Sequence, residues 1–138
     1  MAHTLWGYDG KCRNIHGHNY KLFVTVEGQP VKDNFCAAGM PHLLPHNPKQ
    51  GMVMDFGDIK HLVEKHIIDV FDHAFVVPEG SPYSKLTDTK LITVPFQPTC
   101  ENLLLDFASR LDGKLPEGVR LYSLRLHETN SSYAELIV

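Results

Sequence analysis

The sequence predicts an α+β domain, with helices laid against one face of a mainly antiparallel sheet. Two observations carry that prediction. Hydrophobic periodicity runs in the order strand, strand, helix, strand, helix, strand, strand, without the regular alternation that a parallel α/β sheet requires. Each helix-like segment also opens at a residue suited to cap it, Asp55 for the first and Thr99 for the second.

In chain order, "AHTLW" at the start is a candidate strand beside the segment "CRNIHGHNY" of residues 12–20. Directly after it, Tyr20, Leu22, Val24 and Val26 fall on one face and Lys21, Phe23, Thr25 and Glu27 on the other, the two-residue period of a half-buried strand. Residues 28–50 carry Pro30, Pro41, Pro45, Pro48, Gly28 and Gly39 and read as an insertion-like loop within a single domain spanning 1–138. A short strand around Met52–Met54 leads into a helix ending near Phe71, with Phe56, Ile59, Val63, Ile67 and Val70 at helical spacing. Asp58 sits favourably in its positive first turn.

"DHAFVV" resumes extended structure, residues 78–90 form a turn-rich excursion, and "LITV" at 91–94 is a strand. The second helix buries Leu103, Leu104, Phe107, Ala108 and Leu111 and stops at Gly113. Two strands follow, about 118–128 and 132–138. Tyr122, Leu124 and Leu126 share a face that ends in Glu128, and a carboxylate on an apolar face asks for a partner.

Composition narrows the function. A formal net charge of −3 provides no polycation for a phosphate backbone, which argues against nucleic acid as a partner. No apolar run approaches the roughly 20 residues needed to cross a bilayer, and no signal segment opens the chain, so cytoplasmic residence is expected. A chain of 138 residues is small for a large cleft of its own, which points to a shared pocket. Cys12, Cys36 and Cys100 are too few and too scattered for a disulfide framework.

The nine histidines are more informative. His16 and His18 point to the same side of an extended segment and can offer two nitrogens to one metal, with His3 the best candidate for a third. Cys12 has two readings, the fourth ligand of a closed structural site or a thiol beside an open, catalytic one. Asp72 and His73 form a second candidate constellation, a carboxylate that orients an imidazole, provided that the backbone bends between them. His42 and His46 flank Pro45 and follow Pro41, which disfavours the helix that a second metal site would need. His61 and His66 read as boundary positions of the first helix, and His127 points away from Glu128.

Taken together, "AHTL", "CRNIHGHNY", "MDFGDIK", "FDHAF", "PTCENL" and "LHETNSS" resemble the 6-pyruvoyltetrahydropterin synthase family, including bacterial 6-carboxytetrahydropterin synthases of queuosine biosynthesis. The resemblance covers nearly the whole chain. It implies a tunnelling fold, a four-stranded antiparallel sheet with two helices on one face, assembled into a barrel, commonly a homohexamer, with pockets at subunit interfaces. It implies that His3, His16 and His18 hold catalytic Zn2+ and that Cys12 abstracts a proton together with Asp72 and His73. Glu128 is then the pterin anchor, and Thr99, Cys100 and Glu101 border the pterin pocket. The activity it implies is conversion of 7,8-dihydroneopterin triphosphate to 6-carboxy-5,6,7,8-tetrahydropterin. Elimination of the triphosphate to the 6-pyruvoyl product is the alternative within the family, and a noncatalytic zinc-stabilised domain the alternative outside it.

Overall fold

The first two strands, β1 (Ala2–His3) and β2 (His16–Gly17), are two residues each and pair antiparallel with His3 opposite His16. They belong to a computed structural model in which residues 1–32 and 47–138 are described; Cys36, His42 and His46 lie outside the described residues. The remaining elements are β3 (Lys21–Gly28), α1 (Phe56–Val63), α2 (Asp69–Phe71), β4 (Phe75–Pro78), β5 (Leu91–Val94), α3 (Cys100–Leu111), β6 (Val119–His127) and β7 (Tyr133–Ile137).

Among the described residues these strands form two sheets rather than one four-stranded antiparallel sheet. The long strands make an antiparallel sheet of order β3-β6-β7, and the short ones a mixed sheet of order β2-β1-β4-β5, in which β4 runs parallel to both β1 and β5. The physical reason lies in β4. All four of its residues are buried, the mark of a strand covered on both faces as parallel strands are. The excursion over residues 79–90 supplies the dozen or so residues that a parallel crossover needs.

Asp55 caps α1 by accepting a hydrogen bond from the Gly57 N–H at 2.6 Å, and Asp58 lies in the first turn. The helical run then widens through a π turn, Glu64–Ile68, before α2. One extra residue in that turn rephases the run. Ile67 and Phe71 become its buried residues, and Phe56, expected on the inner stripe, is 82% exposed at the outer end. In α3 the Thr99 hydroxyl accepts from the Asn102 N–H, and Cys100, Leu103, Leu104, Phe107 and Leu111 are buried. The helix is followed by Gly113 at φ +64°, the left-handed conformation that glycine adopts without a Cβ penalty. Both helical runs join one core with Val76, Val94, Leu124 and Leu126.

Two local expectations change. Residues 52–54 form no strand, Val53 and Met54 being bends, although the Met52 carbonyl accepts from the Val31 N–H at 2.9 Å. In β6 the register with β3 steps from Thr25–Ser123 to Val26–Leu121, leaving Tyr122 as the extra residue of a bulge. Tyr122 is therefore turned outward and Leu121 packs against the core, whereas Leu124 and Leu126 are buried as expected. That face continues to Glu128.

Candidate active site

Three histidines converge because β1 and β2 pair in one particular register. His3 and His16 are cross-strand partners and His18 follows two residues later, so their ligating nitrogens all lie within 4.8 Å of one another. His3 is buried, and its Nδ1 lies 2.7 Å from the Pro98 carbonyl, just before α3. His16 Nδ1 lies 2.8 Å from the Asn14 carbonyl. A carbonyl oxygen only accepts, so both Nδ1 atoms carry a proton, and each ring in its neutral form presents a lone pair at Nε2. Those two Nε2 atoms are 3.1 Å apart.

Two lone pairs facing at that distance repel unless a cation lies between them. The donor set fits zinc, which takes imidazole nitrogen and whose ligating histidines typically donate the other ring N–H to a carbonyl. Burial is the main effect holding the His3 pKa below its ordinary value; the Pro98 carbonyl opposes this and His16 adds to it. The ring is therefore neutral, as a ligand must be.

Glu128 sits just past the end of β6, with its backbone N–H held by the Ser132 carbonyl at 3.0 Å. Its Oε1 lies 3.4 Å from His3 Nε2 and 3.6 Å from His18 Nε2. The Tyr20 hydroxyl donates to the same oxygen at 3.1 Å and lies 3.3 Å from His3 Nε2. Burial first, and the Glu128 carboxylate second, hold the Tyr20 phenol far above its ordinary pKa, so it is a neutral donor.

Cys12 is half-buried on a 3-10 turn, Lys11–Arg13, in the loop between β1 and β2. Its carbonyl accepts from the Leu5 N–H at 3.0 Å, and the buried Thr4 hydroxyl donates to the neighbouring Arg13 carbonyl at 2.7 Å. Among the described residues the group at ligand distance consists of the three histidines, with Cys12 outside it.

Asp72 and His73 do touch, at 2.8 Å between Oδ2 and Nδ1. The bend that permits this is His73 itself, at φ +56° just after α2. Hydrogen bonding from His73 is the main cause holding the Asp72 carboxyl below its ordinary pKa. Asp72 lines a cavity of about 240 Å³ with His18, Tyr20, Ile67 and Phe71. His73, 90% exposed, is not among the residues lining it.

The segment at the start of α3 meets the histidines through the Pro98 carbonyl. Thr99 serves as cap, Glu101 is exposed and Cys100 is buried. Burial, then Glu128 and Glu101, push the Cys100 thiol up to about 12, so it stays protonated. His127 stacks on Tyr133, with ring centroids 4.8 Å apart, and packs against Phe23.

Three positioning contacts escaped the sequence reading. Tyr20 looked like the first core residue of β3, although its place two residues after His18 put it in phase with the ligands. Pro98 acts through its carbonyl, which leaves no signature in residue type. Lys90 donates to the Asp69 and Asp72 carbonyls at 2.7 and 2.9 Å, closing the end of α2 beside His73.

Comparison with known proteins agrees with this architecture. The chain is 37% identical to the 6-carboxy-5,6,7,8-tetrahydropterin synthase of Haemophilus influenzae, over 98% of this chain and 90% of that protein. It is 30% identical to the 6-pyruvoyl tetrahydrobiopterin synthase of Pongo abelii, over 89% of this chain and 68% of that protein. The crystal structure of 6-pyruvoyl tetrahydropterin synthase from Plasmodium vivax shares the fold with a TM-score of 0.68 at 18% identity, covering 98% of this chain and 87% of that one. Fold and sequence together define an enzyme of the tetrahydropterin synthase class. Residues 1–137 match the 6-pyruvoyl tetrahydropterin synthase family, and the chain belongs to it.

Proposed function

We propose that this protein is a zinc-dependent carbon-carbon lyase converting 7,8-dihydroneopterin triphosphate to 6-carboxy-5,6,7,8-tetrahydropterin in the queuosine, or 7-deazaguanine, pathway. The observation that carries the reading is the pair of facing Nε2 atoms on His3 and His16, completed by His18 and set beside Glu128. Identity to the Haemophilus influenzae protein, whose name is 6-carboxy-5,6,7,8-tetrahydropterin synthase, favours the carboxy product. The chain is read as one domain spanning 1–138 with an insertion-like loop at about 28–50.

His3, His16 and His18 would hold Zn2+, which when bound with one position open polarises the substrate's side-chain oxygens and stabilises enolate-like charge. Cys12, which is not among the grouped ligands, would take the carbon-bound proton. Asp72 holds the Nδ1 side of His73, leaving Nε2 to exchange protons. Glu128 accepts paired hydrogen bonds from the guanidine-like edge of the pterin. Thr99, Cys100 and Glu101 form the border of that pocket.

The exposure of His73 fits a site completed by another subunit. So do the exposed apolar side chains of Phe23, Tyr133 and Ile137 on the β3-β6-β7 sheet. We therefore read the protein as a cytoplasmic homohexamer with pockets at subunit interfaces. The Pongo abelii relative favours the second reading, elimination of triphosphate to the 6-pyruvoyl product. A closed structural zinc domain has less support, because Cys12 is not among the grouped ligands.

Mass spectrometry after mixing zinc-loaded protein with dihydroneopterin triphosphate tests the reading. The carboxy product is expected. A pyruvoyl product would transfer the assignment to the second reading, and retention of unchanged substrate would reject both.

A further inference from the structure

A phenol has one proton to give, and Tyr20 has two acceptors within reach. His3 Nε2 lies at 3.3 Å and Glu128 Oε1 at 3.1 Å. Because His3 Nδ1 donates to the Pro98 carbonyl, His3 Nε2 offers only a lone pair, which a bound cation would occupy. The Tyr20 proton is then left to Glu128, whose Oε1 is also the nearer of the two acceptors.

Without that bond, Glu128 has an alternative place to go. Its Oε1 already stands 3.4 and 3.6 Å from the Nε2 atoms of His3 and His18, so a cation held by the histidines is the competing partner on that side. A carboxylate at the open position would close the site and be lost to the pterin. The Tyr20 ring cannot yield easily, since it packs edge-on against His3 and His18 at centroid distances of 6.0 and 5.5 Å. On its other side, Glu128 lines a surface cavity of about 440 Å³ with Asn19, Lys21 and Asn130.

We infer that Tyr20 is a positioning residue whose hydroxyl ties down one Glu128 oxygen, keeping the carboxylate off the metal and presented to the pterin edge. The inference rests on the functional reading above. It assigns Tyr20 a part in substrate affinity, acting through Glu128 and not through zinc retention.

The test is a double-mutant cycle on zinc-loaded protein, with neopterin binding followed by fluorescence and zinc by mass spectrometry. Tyr20→Phe should weaken neopterin binding about tenfold with zinc content unchanged, and raise KM more than it lowers kcat. In a Glu128→Gln background the same change should cost nothing further. An equal loss in both backgrounds, or zinc lost in step with affinity, would overturn the inference. Wild-type protein that fails to bind neopterin would reject the functional reading and the inference with it. Wild-type binding matched by Tyr20→Phe would reject the inference alone. Should Tyr20→Phe fold poorly, the zinc-loaded wild type carries a second measurement. An exchange-protected Tyr20 hydroxyl proton should be visible by NMR and should shift in Glu128→Gln; no such proton, or no shift, overturns the assignment.

Discussion

The Nε2 atoms of His3 and His16 stand 3.1 Å apart across the β1–β2 pair while both Nδ1 atoms are committed to backbone carbonyls. A cation between the two nitrogens would satisfy both, and it would link metal affinity to fold stability. His3→Ala should drop zinc occupancy steeply, and chelation of the wild type should lower Tm. Zinc content by mass spectrometry checks the first and a thermal melt with and without chelator the second. A His3→Ala protein that kept full zinc would remove β1 from the metal site.

Burial of His3 should also make the metal-free protein sensitive to acid. His3 has an unfolded pKa of about 6.5 and a lower folded value, so below about pH 6.5 the unfolded chain binds more protons than the folded one. This contribution to stability is therefore fully present above that pH and declines as pH falls toward the depressed folded value. Urea midpoints of zinc-free protein between pH 5 and 7.5 should show the decline, and His3→Gln should flatten it. An unchanged slope in the variant would assign the acid sensitivity elsewhere.

Lys90 ties the Asp72–His73 pair to the end of α2 by donating to two carbonyls that would otherwise be open ends of the helix. The left-handed His73 backbone lies immediately after that closure, and His73 Nδ1 meets Asp72 Oδ2 at 2.8 Å. Lys90→Met should reduce kcat roughly tenfold, with zinc content and neopterin affinity unchanged. Lys90→Arg should retain most of the activity. Equal kcat in Lys90→Met and wild type would show that the pair holds its geometry without the cap.

What could be read from residues alone follows the length of each element. β3 and α3 repeat their pattern several times, so their faces and the Thr99 cap were legible, as were Leu124 and Leu126 leading to Glu128. His16 and His18 were legible because a two-residue spacing has one meaning in an extended chain. β1 and β2 have two residues each and no period to detect, so the parallel pairing of β1 with β4 had no local signal. The π turn and the Tyr122 bulge each add one residue, and such insertions are set by packing against neighbours rather than by residue type. Tyr20, Pro98 and Lys90 act through a ring hydroxyl or backbone carbonyls supplied by distant segments, contacts that only folding creates.

The loop carrying Cys12 has its own internal support, and that support separates placement of the thiol from binding of the metal. Thr4 is buried, next to His3 in sequence, and its hydroxyl donates to the Arg13 carbonyl at 2.7 Å. The Leu5 N–H meets the Cys12 carbonyl one residue earlier. Thr4→Val keeps the shape but removes the donor to the Arg13 carbonyl, at a net cost of about 0.5–1.5 kcal/mol. Urea unfolding should register that loss. Turnover should fall further than stability alone explains, because the thiol then samples positions away from the substrate, while zinc content should hold. Cys12→Ala is the companion measurement, with turnover abolished and zinc retained. Loss of zinc in Cys12→Ala would make the cysteine a ligand after all, and unimpaired turnover in Thr4→Val would show that the 3-10 turn places the thiol unaided.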